Sequence, residues 1–148
     1  MFHAPSHKLP GRAAAFTVRT VNPEAEGTTY PEVRFEVTPE RVQAFADVFG
    51  GGPGVPPTLL ATAEFTVMPT IIADPRLDMD FTRVVHGSQE YEYFRPPVVG
   101  ETLIFQARLD SVKVRGNNAF LTIVMDVLDG SGALVAKCRS TMIERGDS

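Results

Sequence analysis

Glu64 is the only charged residue in an apolar stretch running from Thr58 to Met68, TLLATAEFTVM. A carboxyl held among Leu59, Leu60, Ala63, Phe65 and Val67 would be desolvated, and its pKa would rise into a range suited to acid–base or nucleophilic work. The structural alternative is a carboxylate facing a subunit seam or an arginine, and a residue amid apolar neighbours is expected to take that role. His86 and Gln89 sit three residues apart beside Gly87, a residue that lets a backbone or a ligand approach closely. His86 reads either as a group at a ligand or subunit interface or as a histidine satisfied by nearby backbone, and Gln89 as a polar contact or a network residue. Arg95, next to Pro96-Pro97, carries the planar fork that suits a phosphate, and also reads as a solvated charge at a strand end.

Other apparent motifs carry no chemistry. His3 and His7 have i,i+4 spacing, but Pro5 spoils the helix and no third ligand is near, so no metal is expected. Gly50 to Gly54 follows a helical pattern and lacks GK[ST], so it is not a phosphate loop. Gly130-Ser131-Gly132 has hairpin-turn composition rather than that of a nucleophile elbow. Cys138, the single cysteine, excludes a disulfide framework and reads as a core residue.

The elements that must carry these residues follow from periodicity. Val33, Phe35 and Val37 alternate with charged neighbours as a strand. Thr38-Pro39-Glu40 opens a helix by cap, proline and dipole, and Gly50 closes it. Thr58 to Met68 is a second helix, apolar nearly all round and so expected to be wrapped by other structure, with Pro69 kinking or ending it. Strands then follow through Tyr91 and Tyr93, through Leu103 to Val114 with a bulge near Asp110-Ser111, through Phe120 to Leu128, and through Leu134 to Met142. An antiparallel sheet curved around one buried helix is the α+β arrangement called the hot-dog fold. Residues 1–27, with Pro5, Pro10 and Pro23, are expected to be mostly irregular, and residues 28–148 to form one domain.

Bulk properties limit the partners. The chain has 148 residues, 43% hydrophobic and 22% charged, which is a globular rather than a disordered balance. A net charge of -4 argues against nucleic acid. The N-terminal sequence lacks the apolar run of a secretory signal and no stretch is long enough to span a membrane, so a cytoplasmic chain without membrane attachment is expected.

The stretch His86-Gly87-Ser88-Gln89 through Arg95-Pro96-Pro97 to Gly100-Glu101-Thr102-Leu103 resembles the HGxQ…(H/K/R)P…GD-like segment of MaoC-like dehydratases. More narrowly it is similar to the N-terminal half of two-domain type-2 enoyl-CoA hydratases and to the non-catalytic subunits of actinobacterial (3R)-hydroxyacyl-ACP dehydratases. Pro56-Pro57-Thr58 matches that family's APPTF-like entry to the buried helix, and Asp129-Gly130-Ser131-Gly132-Ala133-Leu134-Val135-Ala136 with Arg139-Ser140-Thr141 matches its DxxGxLVxxxRST ending. Catalytic members carry an Asp and a His in a D-x-N-P-x-H-like loop between the two helices. Here no Asp lies between Asp47 and Asp74, and no His between His7 and His86. The resemblance therefore implies an acyl-CoA- or acyl-ACP-binding subunit, inactive alone and without a cofactor, that pairs with itself or with a catalytic hot-dog chain. Pro57, Thr58, His86, Gly87, Gln89 and Arg95 are its expected substrate-binding residues. The rival is a self-sufficient hot-dog thioesterase using Glu64, and a third reading is a non-enzymatic acyl-binding module.

Overall fold

Among the described residues, two α-helices and five strands follow in the order strand, helix, helix, then four strands. The structure, a computed structural model, describes residues 21–146. The His3/His7 pair and most of the expected irregular N-terminal segment lie outside the described residues. A short 3-10 helix, Pro23–Ala25, leads in, and Val21 and Ala25, ahead of residue 28, are already part of the core.

Strand β1 (Val33–Glu36) runs into helix α1 (Pro39–Phe49). The Thr38 hydroxyl accepts the Arg41 amide at 3.2 Å, and Gly50 takes a φ of 82° to end the helix. Helix α2 (Leu60–Ile72) follows, then β2 (Val84–Tyr93), β3 (Thr102–Arg115), β4 (Asn118–Leu128) and β5 (Leu134–Glu144). The sheet is antiparallel throughout with strand order β1-β3-β4-β5-β2, so β1 and β2 are its edges. The expected bulge is present, as a register shift between Leu109 and Ser111.

The core lies between α2 and the inner face of the sheet. Leu60, Ala63, Val67 and Ile71 of α2 meet Leu103, Phe105, Leu121, Met125 and Cys138 in one cluster. The opposite face of β4 is roofed at Val124 by Arg108 and Arg139, the residues paired with it across the strands, which are held by Asp110 and Asp126. The order of elements and the antiparallel sheet over α2 are the hot-dog arrangement that the sequence pattern predicts.

Two expectations about α2 need correction. Of the kink or end expected at Pro69, the end is overturned: the helix continues to Ile72. A proline removes its own amide bond and crowds the carbonyl four residues back; Pro69 lies on the exposed side, and Ile71 in the turn that follows is buried in the core. Nor is α2 enclosed on all sides. Its buried residues, Leu60, Ala63, Glu64, Val67 and Ile71, form one stripe at helical spacing, and Phe65 on the other side is 75% exposed.

Candidate functional site

Helix α2 presents Ala61, Glu64, Phe65 and Met68, at i, i+3, i+4 and i+7, to a pocket of ≈ 230 Å³ whose far wall is β2 and β5. That wall carries His86, Gln89, Tyr91, Ser140 and Met142. Gln89 and Tyr91 share a face by the two-residue period of a strand. His86 is three residues from Gln89 and would point the other way in a regular strand. A register shift between His86 and Ser88 corrects the parity: His86 pairs with Met142, Gln89 with Ser140 and Tyr91 with Cys138. Gly87 permits this bulge to pack closely, because a Cβ there would stand 3.0 Å from Ile143 Cδ1 and 3.2 Å from the Thr141 carbonyl oxygen.

Glu64 is 5% exposed and has no lysine or arginine partner among the described residues. Its Oε1 accepts the Gln89 amide at 3.2 Å. Burial raises its pKa above the ordinary 4.5, opposed by Tyr91, Gln89, the His86 charge and Cys138. The Tyr91 hydroxyl is sealed from solvent beside this carboxyl, and burial followed by its interaction with Glu64 drives its own pKa up. Burial likewise pushes the Cys138 thiol up, which leaves it an inert core residue. His86 Nε2 lies 3.2 Å from Ser140 Oγ. Of the two placements expected for Glu64, a subunit seam or an arginine, the second is not met among the described residues: Glu64 lines the pocket with Gln89, Tyr91 and His86. The helix pattern alone could not show this, because its buried stripe and its pocket face overlap at Glu64.

Pro57 and Arg95 are brought together elsewhere, in a groove of ≈ 370 Å³ lined by Val55, Pro57, Tyr93, Phe94, Arg95, Pro96 and Pro97. The Tyr93 hydroxyl donates to the Pro57 carbonyl and ties the groove's two sides. Arg95 donates to Glu101 at 3.1 and 2.7 Å and to Asp129 at 3.1 Å. Glu101 also accepts the Val98 amide at 2.6 Å, and Asp129 accepts the Ser131 and Ala133 amides. Two carboxylates thus already stand against the guanidinium that was expected to meet a phosphate. Thr58 is exposed in the turn that leads into α2.

The pocket therefore gathers Glu64, His86 and Gln89 from the expected set and leaves Pro57, Thr58, Gly87 and Arg95 outside its lining. Tyr91, Ser140, Met68 and Met142 are lining residues not singled out from sequence. Strand parity with Gln89 and Cys138 was the signal that placed the first two. Among the described residues no group of three or more His, Cys, Asp or Glu is placed to hold a metal ion, and no helix is long and apolar enough to cross a membrane.

The family model described as FAS1-like, dehydratase domain region, matches residues 51–138, which include α2, β2 and most of the sheet. The chain belongs to that family. A UPF0336 protein of Saccharopolyspora erythraea is 31% identical over 138 residues, covering 81% of this chain and 88% of the relative. The fold is also that of the C-terminally truncated HadBC (3R-hydroxyacyl-ACP dehydratase) complex of Mycobacterium tuberculosis, with TM-score 0.69, 19% identity and coverage of 80% of this chain and 96% of that one. A solved MaoC-like dehydratase gives TM-score 0.70 at 17% identity; 82% of this chain overlays only 42% of that longer one.

Proposed function

We propose that this FAS1-like dehydratase family member binds the acyl chain of an acyl-CoA or acyl-ACP thioester in the cytoplasm, while a second hot-dog chain adds or removes water. The observation that carries this reading is the crossing from α1 to α2. Residues 50–59, GGGPGVPPTL, contain no titratable side chain. This crossing therefore lacks the Asp and His of the D-x-N-P-x-H loop that would serve as the acid–base pair, and Glu64, His86 and Tyr91 are the titratable groups that line the pocket. The pocket walls supply apolar surface from Ala61, Phe65, Met68 and Met142, which suits an acyl chain. Pairing is supported by β2, an edge strand bonded on one side only, beside exposed Phe65, Phe81 and Val85. An unpaired edge flanked by apolar side chains is a template for a second sheet edge, from another copy or a catalytic relative.

The test is reconstitution. Mixed with a hot-dog chain that carries the D-x-N-P-x-H loop, the protein should form a stable complex that hydrates enoyl thioesters faster than either chain alone. Absence of a complex and of any gain in rate would refute the subunit reading.

A thioesterase reading is favoured by one observation, the placement of Glu64 in the pocket rather than against an arginine. Its signature would be acyl-CoA hydrolysis by the single chain that vanishes in Glu64→Gln while the melting temperature does not fall.

A further inference from the structure

Two cavities follow one another along the seam between β2 and α2 with its lead-in. The pocket of ≈ 230 Å³ runs from Met68 and His86 to Ala61 and Tyr91. The groove of ≈ 370 Å³ takes up the same line at Pro57 and Tyr93 and continues to Val55 and Pro97, and no residue lines both. Tyr91 and Tyr93 are two residues apart on β2 and share the strand face that turns toward α2. Their rings stack with centroids 6.2 Å apart, and Tyr93, half-buried, packs on the core. The boundary between the cavities falls at this pair of rings. A contact from wall to wall spans it there, the Tyr93 hydroxyl donating to the Pro57 carbonyl. A ring stacked on one side and tied on the other is held in place between pocket and groove. Beyond it, Val55, Phe94, Pro96 and Pro97 offer apolar surface that would extend the pocket if the ring were gone.

We propose that Tyr93 is the stop that limits the length of acyl chain the α2–β2 pocket takes, its tie to Pro57 holding the ring between the pocket and the groove. The limit rests on acyl binding in this pocket. A chain that ends before Tyr93 removes every added methylene from water. A longer one must displace the ring or leave its tail exposed, and gains nothing further.

Calorimetric titration of the full chain with saturated straight-chain acyl-CoA thioesters, lengthened one methylene at a time, tests it. Wild-type affinity should climb by up to about fourfold per methylene, the value of one buried CH₂, and stop climbing at one length. Tyr93→Ala should carry the climb past that break, tightening the longest chains at least about tenfold, while chains below it bind within about twofold of wild type. Tyr93→Phe keeps the ring and its packing but loses the Pro57 tie, and so decides the matter should Tyr93→Ala not fold. It should move the break the same way by a smaller step. A wild-type series without a break, or a break that stays in place in the Tyr93 variants, would refute the stop and leave the acyl-binding reading standing. Failure of every thioester to bind would overturn both.

Discussion

Two clusters on the same molecule treat carboxyl groups in opposite ways. At the α2–β2 pocket, Glu64 is buried among an amide, a phenol, a thiol and an imidazole, and burial lifts its pKa. At the far end of β2, Glu101 is also partly buried, but Arg95 and the Val98 amide outweigh that burial and bring its pKa down. Asp129, held by Ser131, Arg95 and the Ala133 amide, is depressed further. The first cluster leaves burial of the carboxyl without a cation to offset it. The second neutralises its charges internally and fastens the segment after β2 to the β4–β5 hairpin. Residue type left Glu64 to a subunit seam or an arginine, and Arg95 to a phosphate or a solvated strand end; the structure gives Glu64 no cation among the described residues and gives Arg95 two carboxylates. Burial decides neither case; the presence or absence of a cation within reach decides both.

The largest effect should come from breaking the fastened cluster. Glu101→Ala removes both Arg95 hydrogen bonds and the acceptor of the Val98 amide, and should cost about 1–3 kcal/mol. Thermal unfolding would then start several degrees lower, and an unchanged melting temperature would show that the contacts are incidental.

Opposite pKa shifts give opposite pH dependence. Because Glu64 binds its proton more tightly when folded, the native state loses stability as pH rises from about 4.5 toward the raised value, by up to about 1.4 kcal/mol per pH unit in that window. Above it the loss is constant. Glu64→Gln should be neutral near pH 4 and stabilising relative to wild type at pH 8. The Glu101 contribution is present above 4.5 and is lost as pH falls through the depressed value, so Glu101→Gln should converge with wild type in acid. Denaturant titrations across pH would reveal either slope with the wrong sign.

A smaller effect on the chain's own stability, but a large one on assembly, is expected at Phe65, 75% exposed beside the pocket. Phe65→Ser should leave unfolding within about 0.5 kcal/mol of wild type while weakening association at least tenfold by sedimentation. The smallest expected change is in ligand affinity on Arg95→Gln. If Arg95 serves only its two carboxylates, acyl-CoA affinity should move by less than about twofold, although the melting temperature falls. A tenfold loss would restore a phosphate role to this arginine.

Much of the framework was readable from local rules. Thr38 and Gly50 set the ends of α1, alternation located the strands, and the shift of apolar parity after Leu109 announced the β3 bulge. What escaped depends on contacts distant in sequence. Pro69 is tolerated because Ile71 docks into a core that the helix sequence does not contain. His86 joins Gln89 on one face only because a bulge at Gly87 packs against Thr141 and Ile143 of β5. Glu64 lacks an arginine because the strands that face it contribute Gln89, Tyr91 and Cys138, a fact visible only once their register is known.

The central claim is that this chain holds an acyl thioester without transforming it. It is tested most directly by following enoyl-CoA absorbance with the purified chain alone, at a concentration shown by calorimetry to saturate binding. The account predicts a trace indistinguishable from background, about 10²- to 10⁴-fold or more below a hydratase with its acid–base pair. Sustained turnover that disappears in His86→Ala or Glu64→Gln would contradict it and would make the α2–β2 pocket an active site in its own right.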